Sequence, residues 1–309
     1  MLTLLACTGS TVASPPAPPT LAQSAFSGTR ALERARWLMT LPRALGDPRR
    51  TTSIERLERA LVEVGATRVR RLPHHGRDPW SDASFAMTTL IGDIRPAAPR
   101  RFILATHFDT RPWAEEDPDE ARRGAPIPGA NDGTSGLAVL LELGPLLAAQ
   151  LPEEVGVSLI LFDGEELGRP GAGGYCAGSR ALASAIDAGS FPALARAEFA
   201  IVLDMVGERG LELELEPLSL SFAEPLARAV WTTGAALGYH EFRARVHRSA
   251  VFDDHAPLAG AGVPAILLID HDYAPWHTHA DTLDKLSPAS LEAVGETLRR
   301  FALARYGAR

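Results

Sequence analysis

The chain has 309 residues, 46% hydrophobic and 22% charged, which suits one large compact domain with a single core. A formal charge of −7 and an isoelectric point near 5.7 give no reason to expect a nucleic-acid partner, and the near-exclusive use of arginine among the basic residues reads as coding bias. No apolar run reaches the ~20 residues needed to span a bilayer.

The first stretch, MLTLLACTGS, is apolar up to Cys7 and then passes into the Ser/Thr/Pro-rich TGSTVASPPAPPT. LLAC resembles a bacterial lipobox, whose cysteine is lipidated and becomes the new N-terminus; a disordered tail is the plainer alternative. The lipobox reading makes residues 1–26 a signal remnant and flexible tether, leaves 27–309 as one folded domain, and implies an extracytoplasmic lipoprotein attached to the membrane through Cys7. Cys176 is then the only other thiol, so a disulfide framework is excluded.

After the tether, GTRALERARWLMTL and TSIERLERALVEVG have helical spacing with polar faces. RVRRL and SFAMTTLIGDI read as strands towards a sheet edge. Strands and helices then alternate: RFILATHFD, SGLAVLLELGPLLAAQL, EVGVSLILFDGEE, SRALASAID, EFAIVLDMVG, AEPLARAVWTTGAALG, VPAILLID, and a closing helix in SPASLEAVGETLRRFALARYG, where Ser287 and Pro288 mark a helix start. The alternation predicts a largely parallel twisted sheet with helices on both faces, a three-layer α/β/α sandwich.

Polar residues recur where the apolar strands end. His107 and Asp109 follow RFILAT, and Asp132 sits in PGANDGTSG just before a helix. Asp163, Glu165 and Glu166 close LILFDGEE, and Asp204 lies within FAIVLDMVG. Asp253, Asp254 and His255 form FDDH, and His277 and His279 lie in PWHTHAD. Singly, such residues are more often caps, turn formers or hydrogen-bonded structural groups. Asp204 is harder to dismiss, because an aspartate inside a buried strand must be paired or bind metal. Parallel topology gathers strand ends into one cleft, and two histidines with several carboxylates form the mixed N/O donor set that zinc favours.

The motifs ATHFDT, PGANDGTSG, FDGEE, LDMVG and PWHTHADT, in this order over about residues 30–307, resemble the zinc aminopeptidases of peptidase family M28. FDDHAPLAGAGVPAILLID followed by WHT is similar to the animal-type and bacterial glutaminyl-peptide cyclotransferases within it, and Gly178–Arg180 also fits their pattern. The resemblance implies an M28-like catalytic domain with one Zn2+ per chain, held by Asp132, Glu166 and His277. It implies Glu165 as general acid/base, Asp204 and Asp253 as hydrogen-bonded acids behind it, Trp276 as a pocket wall, and a cis peptide bond between Asp132 and Gly133. The implied reaction converts N-terminal glutamine of peptides or proteins to pyroglutamate with release of ammonia.

His107 corresponds to a ligand of the second metal in two-zinc aminopeptidases, the alternative function; cyclases keep this histidine at the pocket without using it for metal. In that alternative Asp204 joins His107 as a second-site ligand. A silent binding lipoprotein is a third reading, opposed by the full set of ligand residues. The cyclases also carry a tryptophan soon after DGEE, whereas LGRPGAGGYC has none and offers Tyr175 as the nearest aromatic. His279 rivals His277 as ligand; the resemblance favours His277 and leaves His279 as a solvent-side loop residue.

Overall fold

A computed structural model describes residues 25–81 and 83–307; Cys7 and most of the expected tether lie outside them. Two helices open the domain. In α1 (Gly28–Leu38) the Ser27 side chain caps the helix by accepting from the Arg30 backbone N–H, and α2 (Arg50–Glu63) follows. Phe26, the last residue of the expected tether, is itself buried, its ring lying against Gly295 of the closing helix.

The main sheet has six strands: β1 (Arg68–Arg77), β2 (Ser84–Ile94), β3 (Arg100–His107), β4 (Val155–Phe162), β5 (Ala200–Asp204) and, last in the chain, a strand at Ala265–Ile269. Between β5 and that strand a short parallel pair forms, β6 (Leu213–Leu215) and β7 (Phe242–Val246), which makes Ala265–Ile269 β8. Its order is β1-β2-β4-β3-β5-β8. β1 and β2 pair antiparallel, with β1 at the edge, as its exposed and half-exposed positions suit, and β2 meets β4 antiparallel. The four strands β4, β3, β5 and β8 run parallel. Every residue of β4, β5 and β8 is buried, the pattern of strands covered on both faces.

Alternate side chains of these strands enter two separate apolar clusters. Phe102, Leu104, Leu159 and Leu161 face the helical layer of α1, α2, α3 (Thr134–Gln150), α6 (Pro217–Ala236) and α8 (Pro288–Tyr306). Ile103, Ala105, Ile160 and Phe162 face α4 (Ala177–Asp187), α5 (Pro192–Ala195) and α7 (His255–Gly260). The expected three-layer α/β/α sandwich is present, with its parallel strands in the centre.

Four elements differ from the sequence expectation. α6 begins at Pro217, where the Glu216 carboxylate caps it by accepting from Leu218 and Ser219, and it kinks at non-helical Ala223, just before Pro225. The β6–β7 pair and α7 have too few residues to show a period.

Candidate metal centre and active-site cleft

The parallel strands all deliver their carboxyl ends to one side. His107 ends β3, Asp163 follows β4, Asp204 ends β5, and Asp270 follows β8. Asp132, Glu165, Glu166, Asp204, Asp253, Trp276 and His277 line one cleft of about 340 Å³, together with Tyr175, Phe252, His271 and Tyr273. His107 stands behind the wall, its Nε2 3.2 Å from Asp132 Oδ1 and 3.1 Å from Asp204 Oδ1.

Asp132 and Glu166 are shared by two imidazoles. One set brings a nitrogen of His107 and carboxylate oxygens of Asp132 and Glu166 within 4.8 Å of one another. On the other side, His277 Nε2 lies 3.4 Å from Glu166 Oε2 and 3.8 Å from Asp132 Oδ2. All four residues are at least 97% buried. Glu166 Oε1 is buried with no hydrogen-bond partner, the kind of orphaned oxygen that an ion would satisfy. A nitrogen–oxygen donor set of this density fits a divalent ion of the zinc type.

The electrostatics are those of crowded acid groups. Burial and the Glu166 charge push Asp132 well above the usual carboxylate range. Burial opposes protonation of His277, but Glu166, Glu115 and Asp132 outweigh it and raise its pKa to about 9. Burial likewise disfavours a charged Glu166, yet His277 and Arg111 pull its pKa well down. Glu165 goes the other way: burial, then the charges of Glu166 and Asp253, push it well up. The adjacent glutamates are therefore driven apart in acidity, a mark of divided roles. Burial and Asp204 also raise Asp253, to about 6.

Backbone geometry holds these groups in place. Asp109 accepts from the backbone N–H groups of Glu165 and Glu166 at 3.2 and 3.1 Å, pinning the turn after β4. Asp281 accepts from Asn131 and Asp132 at 2.8 and 3.2 Å and from the Tyr273 hydroxyl at 2.6 Å. Gly133 has φ +81°, and a Cβ there would come within 2.8 Å of His107 Cε1, so only glycine lets the Asp132 turn close on the histidine. Cys176, Met205 and His277 all have left-handed φ, uncommon outside glycine and concentrated here around one cleft.

Several expectations need correction. The Asp132–Gly133 bond is trans; there are no cis peptide bonds among the described residues, and the turn is made by the left-handed Gly133 instead. His279 is not simply solvent-side: its Nδ1 lies 2.8 Å from Asp117 Oδ2, and its backbone N–H donates to the same oxygen at 2.9 Å. Asp163, the first acid of DGEE, serves the scaffold, accepting from the Thr88 backbone at 2.6 Å and pairing with Arg50. In place of a tryptophan after DGEE, Tyr175 lines the cleft together with Phe252 and Trp276.

Sequence reasoning left Arg111 and Glu115 unassigned. Both lie in the loop after β3, and His277 Nδ1 is 2.9 Å from Glu115 Oε1. Cys176, a lone thiol in the sequence, places its Sγ 3.5 Å from Glu165 Oε1, beside Asp253. The only available signal for the first pair was the i, i+4 spacing of opposite charges, uninformative outside a helix.

A parallel-sheet α/β/α sandwich with a buried His/Asp/Glu cluster at its strand ends defines an α/β enzyme with the zinc exopeptidase type of fold and a candidate metal centre. Residues 89–302 match peptidase family M28, and the chain belongs to that family. Its fold is similar to that of Porphyromonas gingivalis glutaminyl cyclase, 31% identical, with a TM-score of 0.82, over 91% of this chain and 99% of that one. It is also similar to a Zn-dependent exopeptidase from Parabacteroides distasonis, 26% identical, with a TM-score of 0.81, over 91% and 98% of the two chains. A glutaminyl-peptide cyclotransferase of Boiga dendrophila is 26% identical over 252 residues, covering 73% of this chain and 67% of the relative.

Proposed function

We infer that the protein is a glutaminyl-peptide cyclotransferase, converting N-terminal glutamine of peptides or proteins to pyroglutamate with release of ammonia. The observation that carries this reading is the pairing of Glu165 and Glu166. One is held at the His/Asp/Glu cluster, and the other faces the same cleft with its pKa raised by burial and neighbouring charge. The likeness to named glutaminyl cyclases supports it at both sequence and fold level.

Asp132, Glu166 and His277 would hold one zinc ion, which when bound supplies Lewis-acid polarisation of the substrate γ-carbonyl. Trp276 and Tyr175 flank the cleft and would confine the glutamine side chain so that its own α-amine faces the γ-carbon. Glu165 takes the proton from the α-amine as the new C–N bond forms, then returns it to the departing amide nitrogen, which leaves as ammonia. Burial, with the charges of Glu166 and Asp253, favours a proton on the Glu165 carboxyl between steps, and Asp204 acts behind them by raising Asp253. No water is consumed, so the reaction asks for a dry pocket and one proton carrier.

The aminopeptidase alternative rests on His107, whose Nε2 lies 3.2 Å from Asp132 Oδ1 and 3.1 Å from Asp204 Oδ1. It needs a second ion and an activated water, and the named cyclases among the relatives weigh against it.

Glu165→Gln preserves size but cannot shuttle a proton. Zinc content measured by elemental analysis should stay at the parental level while turnover falls by roughly 10²-fold or more. Glu166→Ala should instead lose the metal. Retention of turnover by Glu165→Gln would remove Glu165 from the proton path. An extracytoplasmic location with Cys7 lipidated is part of this proposal, supported by the LLAC sequence.

A further inference from the structure

His277 and Glu166 come from segments more than a hundred residues apart, yet a closed circuit of side chains joins them. The Glu115 Oε1 atom lies 2.9 Å from His277 Nδ1 and accepts its N–H. The same carboxylate is gripped by the Arg111 fork: Nε donates to Oε2 at 2.8 Å and Nη2 donates to Oε1. Arg111 Nη1 then donates to Glu166 twice, to its backbone carbonyl at 3.0 Å and to Oε2 at 3.1 Å. The fourth side is the 3.4 Å approach of His277 Nε2 to Glu166 Oε2.

We propose that Arg111 and Glu115 form a positioning clamp that presets His277 and Glu166 as zinc ligands. The proposal rests on the zinc reading above and deepens it. Acceptance by Glu115 holds a proton on Nδ1, so in the neutral imidazole that binds metal the Nε2 lone pair is the one turned to the cleft. The guanidinium occupies Glu166 Oε2 and leaves Oε1 as the carboxylate atom without a partner. Arginine suits this role because its planar fork holds a carboxylate in a fixed orientation, which a lysine ammonium cannot do. The guanidinium is completely buried and lies 5.3 Å from the Trp113 ring centroid and 5.6 Å from that of Tyr175, so it has little room to swing away. A buried ion pair of this sort adds little net stability once desolvation is counted. Its value lies in orientation.

The test is zinc affinity of the full-length protein, measured by competition with a chelator of known strength, alongside the melting temperature of the metal-free protein. Glu115→Ala and Arg111→Lys should each weaken zinc binding about 10- to 100-fold. Glu115→Gln, which keeps an acceptor for His277 but loses the charge, should fall between Glu115→Ala and the parent; it also serves should the alanine variant not fold. Because both residues act in one circuit, the double variant should lose clearly less than the product of the single losses. Melting of the metal-free variants reports any general damage, which alone would not lower affinity in this non-additive way. Affinities within twofold of the parent, or independent losses that multiply, would overturn the clamp while leaving the zinc site standing. A parent chain that binds no zinc would overturn both.

Discussion

Asp78 shows how a single side chain can steady the pocket from outside it. Its carboxylate accepts from Arg169 Nε and Nη2 at 2.9 and 3.1 Å, and the Arg169 guanidinium lies 3.1 Å from the Trp113 ring centroid. This ties the β1–β2 turn to the loop that carries Tyr175. The Arg169 hydrogen bonds hold Asp78 down at about 2, below its ordinary 3.8. A depressed acid contributes stability that is present above its unfolded pKa and lost as pH falls through the folded one. Asp78→Asn should therefore lower the urea-unfolding free energy by about 1 kcal/mol at pH 7, with the gap to the parent closing between about pH 4 and pH 2. A gap that stays constant over that range would mean that the charge is not the cause.

The meeting of single residues in one cleft was legible in the sequence where a motif contained them. Asp132, Glu165, Glu166, Asp204, Asp253, Trp276 and His277 all reach one cleft, and His107 stands directly behind it. The supporting carboxylates were not legible as such. Asp109 and Asp281 lie within the family-like motifs, but their work is to accept backbone N–H groups from segments far along the chain. Arg111 and Glu115 act through contacts that exist only once three loops have converged. No local spacing encodes such a meeting.

At the level of elements, period carried the reading. β3, β4, β5 and β8 are apolar runs with polar endings, and each forms where expected because burial on both faces suits an unbroken apolar strand. α3 and α8 likewise run nearly the full length of their apolar segments, α8 starting at Pro288 under a Ser287 cap. β6 and β7, of three and five residues, pair with each other beside the main sheet. Their register comes from tertiary contacts. The helix expected from Ala223 begins six residues earlier, at Pro217, which serves as a helix start, while Pro225 follows a kink at Ala223.

For the whole molecule, one question reaches past the folded domain and one concerns the domain itself. If Cys7 is lipidated, protein made with its complete leader should partition into detergent and Cys7→Ser should not, since a multiply acylated cysteine anchors firmly. Equal partitioning of the two would remove the lipoprotein proposal. The domain itself places a His/Asp/Glu centre and a separate, protonatable Glu165 at one end of a three-layer sandwich, and the reaction assigned to it needs both. The most direct test of that claim offers the zinc-loaded protein a choice between a peptide beginning with glutamine and a leucine anilide, following ammonia and amine release together. Ammonia and an N-terminally blocked peptide from the first substrate, with little cleavage of the second, is the predicted result. Efficient release of free glutamine and free leucine, with no ammonia, would contradict it and identify an aminopeptidase.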